Sequence, residues 1–384
     1  MADLVVRIFS VALLALTLWY VRLIWRRGRA WQQLPETRIP TPLSADTAFS
    51  VLIAARNEAP ALPALLADLA AQQFPGSFEV IIVDDHSTDD TAAVVAAFGL
   101  RTSISVRLLR LADFPTSGQG KKAALALALT HAQHPWIACT DADCRLGPLW
   151  LAAFAAQLRA APTLDFLSGP VALRPDGSAL ARLQVVEFAG LIGVGAASLA
   201  LGHPNMCNGA NLAYRRAAWA AVGGFGTHQH VASGDDEFLL HALWARRPRC
   251  AAFVKSPAAI VRTAAAPTVA AFLRQRVRWA SKWRHYRQPG VQALAAGVFL
   301  LNLLLLLGPL GPLTGIFGGA LAAAWGAKLL IDGWFLRLIL RFQGDTRHVV
   351  WAILAWQLIY LPYVVLTGLR ALWGRYEWKD RRVG

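Results

Sequence analysis

Cysteine is scarce in this chain: four among 384 residues, Cys139, Cys144, Cys207 and Cys250, with no paired CxxC spacing. That excludes a secreted disulfide scaffold and points to a reduced, cytosolic domain. Cys207 follows His203 at a ligand-like distance, but no second such pair accompanies it, and no zinc site is expected. Charge is sparse too, at 16% of residues, and its acidic part is the smaller: 23 Asp and Glu against 38 Lys and Arg give a formal net charge of +15. The basic excess falls at 26–29 (RRGR), 274–287 (RQRVRWASKWRHYR) and 374–382 (GRYEWKDRR), each beside an apolar segment. This is the pattern of cytoplasmic flanks that meet anionic lipid. No nucleic-acid-binding module accompanies it, so nucleic acid is excluded as a partner.

Apolar surface is abundant instead, with 56% hydrophobic residues and a mean hydropathy of +0.41. An ordinary soluble enzyme is excluded, and a soluble domain joined to membrane segments is expected. Residues 4–25, broken only by Arg7 and Arg22, are long enough to span a bilayer, and no small-residue cleavage site follows. They read as an uncleaved anchor over 1–27, with the N-terminus outside and the next segment in the cytosol. Residues 183–202 have nearly the length of a span. A crossing there would separate Asp236 from Asp84 and Asp141, so an interfacial or buried helix is expected, with Glu187 facing solvent or substrate. A C-terminal membrane region over 289–373 is expected to hold spans at 291–307, 313–330 and 349–372, with 332–348 lying along the interface, before a basic tail at 374–384. Three such spans would leave that tail outside, against the positive-inside rule, so a re-entrant segment or an incomplete hairpin stays open. Together these segments predict a multi-pass protein of the inner (cell) membrane with a cytosolic catalytic domain over 45–288; the oligomeric state is not legible.

After the Pro-rich linker QQLPETRIPTPLSAD, short apolar runs alternate with Ala/Leu-rich stretches. Strands are predicted at 50–55, 78–85, 105–111 and 135–141, and helices at 59–72, 88–98 and 121–133. Alternation of this kind predicts an α/β domain with a mostly parallel sheet, whose ligands sit at the carboxyl ends of the strands. Asp84–Asp85 and Asp141–Asp143 fall at that edge. If the last strand extends through TDADC, Asp141 and Asp143 point to one face and leave the edge together. Read alone, the pair is equally well a turn or a helix cap.

The order of motifs resolves this. VLIAARNEA, EVIIVDDHSTDDT, GKKAAL, TDADC, SGDDEF and QRVRW follow one another at spacings that resemble family 2 glycosyltransferases of the GT-A fold. Membrane-anchored members, such as ceramide glucosyltransferases and cellulose or hyaluronan synthases, are the most similar. The resemblance covers roughly Phe49 to Trp279.

It implies a UDP-sugar donor and a divalent cation, Mg2+ or Mn2+, with Asp143 as metal ligand and Asp141 holding ribose and metal. Ala55, Arg56, Glu58 and either Asp84 or Asp85 would form the uridine pocket; the other aspartate would cap a helix. Lys121 falls at the family's Gly-Lys position near diphosphate or base, although Ala126 stands where the family usually has Asn. Asp236 is the implied catalytic base, with Asp235 at the preceding acid. Gln275, Arg276, Arg278 and Trp279 would serve departing diphosphate and acceptor. Phe272, Trp279, Trp283 and Tyr286 fall near one helical stripe that would rest on the bilayer. CNGANLAYRR resembles the segment lining the acceptor side, with Asn208 and Gly209 allowing close approach. His228 and His230 are read as loop residues. The implied function is inverting transfer to a lipid acceptor among membrane lipids, with a processive polysaccharide synthase and a non-catalytic scaffold as alternatives.

Overall fold

The computed structural model describes the chain apart from residues 1, 44, 115–117, 227–233, 282–288, 311–313, 346–348, 373–375, 379–380 and 384. It forms two compact units. One comprises Gln33–Arg174 and Val194–Ala264, the other Met1–Gln32, Pro175–Gly193 and Ala265–Gly384. Packing thus groups 175–193 and the chain from Ala265 onward with the membrane-type helices.

The first unit is built on a seven-stranded sheet. Its strands are β1 (Phe49–Ala55), β2 (Phe78–Asp84), β3 (Ser105–Arg110), β4 (Trp136–Cys139), β5 (Phe166–Ser168), β7 (Leu212–Arg215) and β8 (Ala251–Phe253), in the order β3-β2-β1-β4-β7-β5-β8. The first four run parallel, while β7 is antiparallel to both β4 and β5. The sequence explains the parallel part: FSVLIAA and FEVIIVD are nearly continuous apolar runs, and every residue of β1 but one is buried. Strands covered on both faces need that composition. Helices α3 (Thr91–Gly99) and α4 (Lys121–His131) pack on β2–β3 and β1–β2, and α2 (Leu62–Ala70) packs on α3. Buried Glu79 is satisfied by Ser50 Oγ (2.7 Å) and the Gln133 amide (2.7 Å).

Two helices begin later than predicted, at Leu62 and Thr91, because the residues before them bond the strand-end loops to one another. A second, two-stranded parallel sheet pairs β6 (Val171–Arg174) with β9 (Val261–Ala264). Asn211, fully buried, donates to the carbonyls of Pro170 and Ala259 (2.7 Å each) and accepts from Trp150 Nε1 (2.9 Å) on α5 (Trp150–Ala160). This joins both sheets to the loop that carries Gly209.

The second unit is helical: α1 (Ala2–Gln33), the first part of α6 (Ala179–Ala200), α9 (Val269–Ala280), α10 (Pro289–Leu307), α11 (Thr314–Phe342) and α12 (Val349–Leu372), with a small hairpin of β10 (Tyr376–Trp378) and β11 (Arg381–Val383). Among the described residues, four helices are long and apolar enough to cross a membrane: 7–33, 179–200, 290–307 and 350–371. Leu4, Ile8, Val11 and Leu18 on α1 and Val350, Leu354 and Leu358 on α12 are exposed, as lipid-facing side chains would be. In 179–200, by contrast, 67% of the apolar window is buried inside the protein.

Two expectations are corrected here. RRGR does not follow the anchor helix but lies within it, and Gly28 is required there because a Cβ would fall 2.1 Å from the Trp334 ring. The expected division between a span at 313–330 and an interfacial segment from 332 is also not seen, for α11 runs unbroken from Thr314 to Phe342.

Candidate active site

Because β1, β2 and β4 are parallel, their carboxyl ends share one edge of the sheet. Ala55 stands opposite Asp84 in register, and the chain then turns through Asn57 (φ 53°) and His86 (φ 58°). The two strand-end loops are bonded together. The Asn57 amide donates to Ser87 Oγ (2.9 Å), the Thr88 amide to Asn57 Oδ1 (2.8 Å), the Glu58 amide to Thr91 Oγ1 (2.8 Å) and the Ala59 amide to Asp89 Oδ2 (3.1 Å). Arg56 Nη1 donates to the Asp85 carbonyl (3.4 Å). Asp84 accepts from the Ser87 amide (3.2 Å), the turn-capping role, whereas Asp85 faces His86 Nδ1 (3.0 Å). The residues expected in a nucleoside pocket, Ala55, Arg56, Glu58, Asp84 and Asp85, therefore stand on one braced edge.

Three distant motifs meet nearby. Lys121, the first residue of α4, follows Gly120, whose φ of 93° belongs to the region glycine alone enters freely. Its Nζ donates to Asp141 Oδ1 (2.5 Å) and lies 3.7 Å from Asp235 Oδ2. Asp235 and Asp236 open α8 (Asp235–Arg246), where the helix dipole favours carboxylates. Asp236 accepts from the Gly209 amide (2.7 Å) and the Glu237 amide (2.8 Å). A Cβ on Gly209 would lie 3.1 Å from Lys121 Nζ, 3.3 Å from Asp235 Oδ2 and 3.4 Å from Asp236 Oδ2, so the absence of a side chain is what lets the cluster close. Desolvation opposes the charge on Lys121, but Asp141, Asp235 and Asp236 outweigh it and hold its pKa well above the ordinary lysine value. Burial pushes the thiol of Cys139, the last residue of β4, up to about 12, away from thiolate character.

The TDADC expectation is corrected in its mechanism. Strand β4 stops at Cys139, and Asp141–Asp143 form a turn in which the Cys144 amide donates to the Asp141 carbonyl (3.1 Å). Asp141 points to Lys121; Asp143 is exposed and accepts from Thr263 Oγ1 (3.4 Å) on β9. The turn is held by paired backbone bonds between Arg145 and Arg262 (2.7 and 2.9 Å) and by the Arg145 fork on Asp68 (2.6 and 2.8 Å). Among the described residues no three His, Cys, Asp or Glu side chains converge as a metal cage. Two hard oxygen donors at an open edge fit a cation of the magnesium type, which takes one or two carboxylates and completes its shell with water and phosphate oxygens.

QRVRW lies in the helical unit, on α9. Arg276 does not stand free for a diphosphate: it is 3% exposed, and its Nε (2.8 Å) and Nη2 (2.5 Å) donate to Glu187 on α6. Glu187 correspondingly faces neither solvent nor substrate, but is buried and also accepts from Tyr363 Oη (3.1 Å). Burial opposes the Arg276 charge, and Glu187 more than offsets this, holding its pKa above the ordinary value. Phe272 likewise packs inward, 5.3 Å from the Tyr363 ring, rather than on a membrane face. Gln275, Arg278 and Trp279 are partly exposed on the same helix. Trp283, Tyr286, His228 and His230 lie outside the described residues. Glu187 and Tyr363 were not anticipated as partners of QRVRW, since Glu187 stands 89 residues from Arg276 and Tyr363 stands 176 from Glu187 in sequence.

A mostly parallel sheet with Lys121 and the three carboxylates of Asp141, Asp235 and Asp236 gathered at its carboxyl edge is an arrangement suited to a charged donor, and the sequence families say which. The profile of Glycosyl transferase family 2 matches residues 50–219, and that of Glycosyl transferase family group 2 matches 136–372, more than half the chain. The chain belongs to this family of glycosyltransferases. Its fold is that of a mannosyltransferase from Pyrobaculum calidifontis, PcManGT, solved in complex with GDP-Man and Mn2+ (TM-score 0.59, 20% identity, 97% of this chain and 99% of that one), which bears out the GT-A expectation. A poly-beta-1,6-N-acetyl-D-glucosamine synthase from Staphylococcus epidermidis is 25% identical over 239 residues, 60% of this chain and 53% of the relative. One from Staphylococcus aureus strain COL is 24% identical over 233 residues. The chain spans about half the length of the curated relatives it matches.

Proposed function

We propose that this protein is a multi-pass enzyme of the inner membrane that transfers a sugar, with inversion, from a UDP-sugar to a lipid acceptor at the cytosolic face. The observation that carries the reading is the convergence of Lys121, Asp141, Asp235, Asp236 and the Gly209 amide at one place. Asp236 takes the proton of the acceptor hydroxyl, whose oxygen forms the new bond at the anomeric carbon. The bond from that carbon to the diphosphate oxygen breaks, and UDP leaves with the electron pair. The Gly209 amide fixes the Asp236 carboxylate for this step, and Asp235 keeps Lys121 nearby. Lys121 offers an ammonium to the departing diphosphate; in QRVRW, Gln275 offers a carboxamide donor, Arg278 a guanidinium, and Trp279 an indole face for the acceptor. Asp143 and Asp141 would hold Mg2+ or Mn2+, which supplies Lewis-acid neutralisation of diphosphate charge. The Mn2+ bound in the PcManGT complex is consistent with a divalent cation, without bearing on which residues hold it. Ala55, Arg56, Glu58 and Asp85 are assigned to the uridine.

A second reading, a processive polysaccharide synthase, is favoured by the match to poly-beta-1,6-N-acetyl-D-glucosamine synthases. Both are tested by nucleotide release from a panel of UDP- and GDP-sugars, using detergent-solubilised protein with total membrane lipid and with manganese, magnesium or chelator. Lipid-stimulated, metal-dependent UDP release that falls by about 10²–10⁴-fold in Asp236→Asn is expected. One or two sugars on an extractable lipid supports the first reading, and a long ladder supports the second. Release of GDP alone would reassign the base pocket, and no release with any donor would remove the transferase reading.

A further inference from the structure

QRVRW contains two arginines, and the geometry assigns them different work: we propose that Arg276 is a positioning residue, clamped by Glu187 and Tyr363, which presents Gln275 and Trp279 of the same motif to the reactants. The inference rests on the transferase reading above.

Three observations carry it. The guanidinium is bidentate on a carboxylate that is itself buried, and Tyr363 Oη completes that carboxylate, so α9 is tied at one point to both α6 and α12. The remaining Nη1 of Arg276 donates to Gln275 Oε1. Its flat face lies 4.2 Å from the Trp279 ring, which also meets Phe188 at 6.0 Å. A single buried group therefore touches the two flanking motif residues while remaining 3% exposed itself, with its charge already matched. A planar fork can do this where a lysine, a point charge on a flexible stem, cannot. Misplacement of reacting groups by about 1 Å is worth about 100-fold in rate, so the clamp acts on turnover rather than on donor affinity.

The test uses the full-length protein in detergent and compares Glu187→Gln, Arg276→Met, the double variant and Tyr363→Phe by kcat, donor KM, UDP binding and Tm. Each single charge variant leaves a buried charge unpaired and is expected to lower Tm; the double removes both charges and regains it. In all three, kcat is expected to fall about 100-fold, non-additively, with donor KM and UDP binding within about twofold of wild type. Tyr363→Phe, which removes one hydrogen bond and no charge, is expected to lose kcat several-fold at nearly unchanged Tm. A loss of UDP binding in Arg276→Met alone would make Arg276 a diphosphate ligand and overturn the proposal. So would recovery of kcat together with Tm in the double, which would reduce the pair to a stability element, or full activity in Tyr363→Phe. A wild type that transfers no sugar fails at an earlier step and removes the transferase reading along with this one.

Discussion

Three carboxylates around one ammonium repel each other, and Lys121 offsets that repulsion among Asp141, Asp235 and Asp236. Its folded-state pKa is raised, so its contribution is complete below the unfolded value of about 10.4 and is lost only as pH climbs through the folded value. The stability gap between wild type and Lys121→Met is therefore expected to stay flat from about pH 6 to pH 9, as followed by thermal unfolding. A gap that closed across that range would mean the ammonium titrates near neutrality. On the proposed role of Lys121 toward the diphosphate, losing a charge-assisted donor is worth about 1.5–3 kcal/mol, so kcat/KM for the donor is expected to fall about 10- to 100-fold in the same variant. Gly209 gives a second prediction at this scale. A methyl group there meets the polar ends of Lys121, Asp235 and Asp236 at 3.1–3.4 Å. Those flexible ends can yield by a few tenths of an ångström, so Gly209→Ala is expected to keep its Tm within a degree or two while kcat drops at least tenfold, because the shifted groups are the ones proposed to react. Equal loss of stability and activity would show that the glycine serves folding instead.

Elements were legible where composition and period agreed. The apolar runs of β1 and β2 and the helices between them follow from burial on two faces, and their boundaries shift by at most a few residues. The antiparallel β7 was hidden in CNGANLAYRR, whose four strand residues are too short a run to show alternation. TDADC failed as a strand because its polar residues prefer to bond the local backbone, and the site gained from this: a turn can aim Asp141 inward and leave Asp143 at the surface. The Lys121–Asp141–Asp236 cluster was recoverable from motif order but not from any local pattern. The Arg276–Glu187 pair was not recoverable at all, since neither residue carries a mark of a partner 89 positions away. Its consequence for the motif is that two arginines of one helix turn, chemically identical in sequence, differ entirely in environment.

At the scale of the whole molecule, α11 is joined to α1 and α12, two of the helices long and apolar enough to cross a membrane, by polar contacts that burial makes costly to leave unmade. Lys328 on α11 is fully buried; its Nζ donates to Asp332 Oδ2 (2.5 Å) and to Gln357 Oε1 on α12 (2.9 Å). Asp332 also accepts from Tyr20 Oη on α1 (2.7 Å) and from Gln357 Nε2 (3.0 Å). Three helices converge on this pair, and the ammonium lies 4.7 Å from the Tyr360 ring. The same network explains why α11 does not break at Asp332: a charge that would end an apolar run is matched one turn back and from two neighbouring helices. An apolar environment makes an unmatched charge far worse than no charge. Asp332→Asn is therefore expected to destabilise the detergent-solubilised protein by roughly 3–5 kcal/mol, since it strands a buried ammonium. The double variant Lys328→Met, Asp332→Leu removes both charges at similar volume and is expected to return most of that stability, with sugar transfer retained because no reacting group is touched. Thermal unfolding and donor turnover on the same preparations check both points. If the double variant were as unstable as the single, the helices would depend on this pair's directed bonds rather than on its neutrality. If it were stable but inactive, the pair would belong to the reaction and not only to the assembly of the helices.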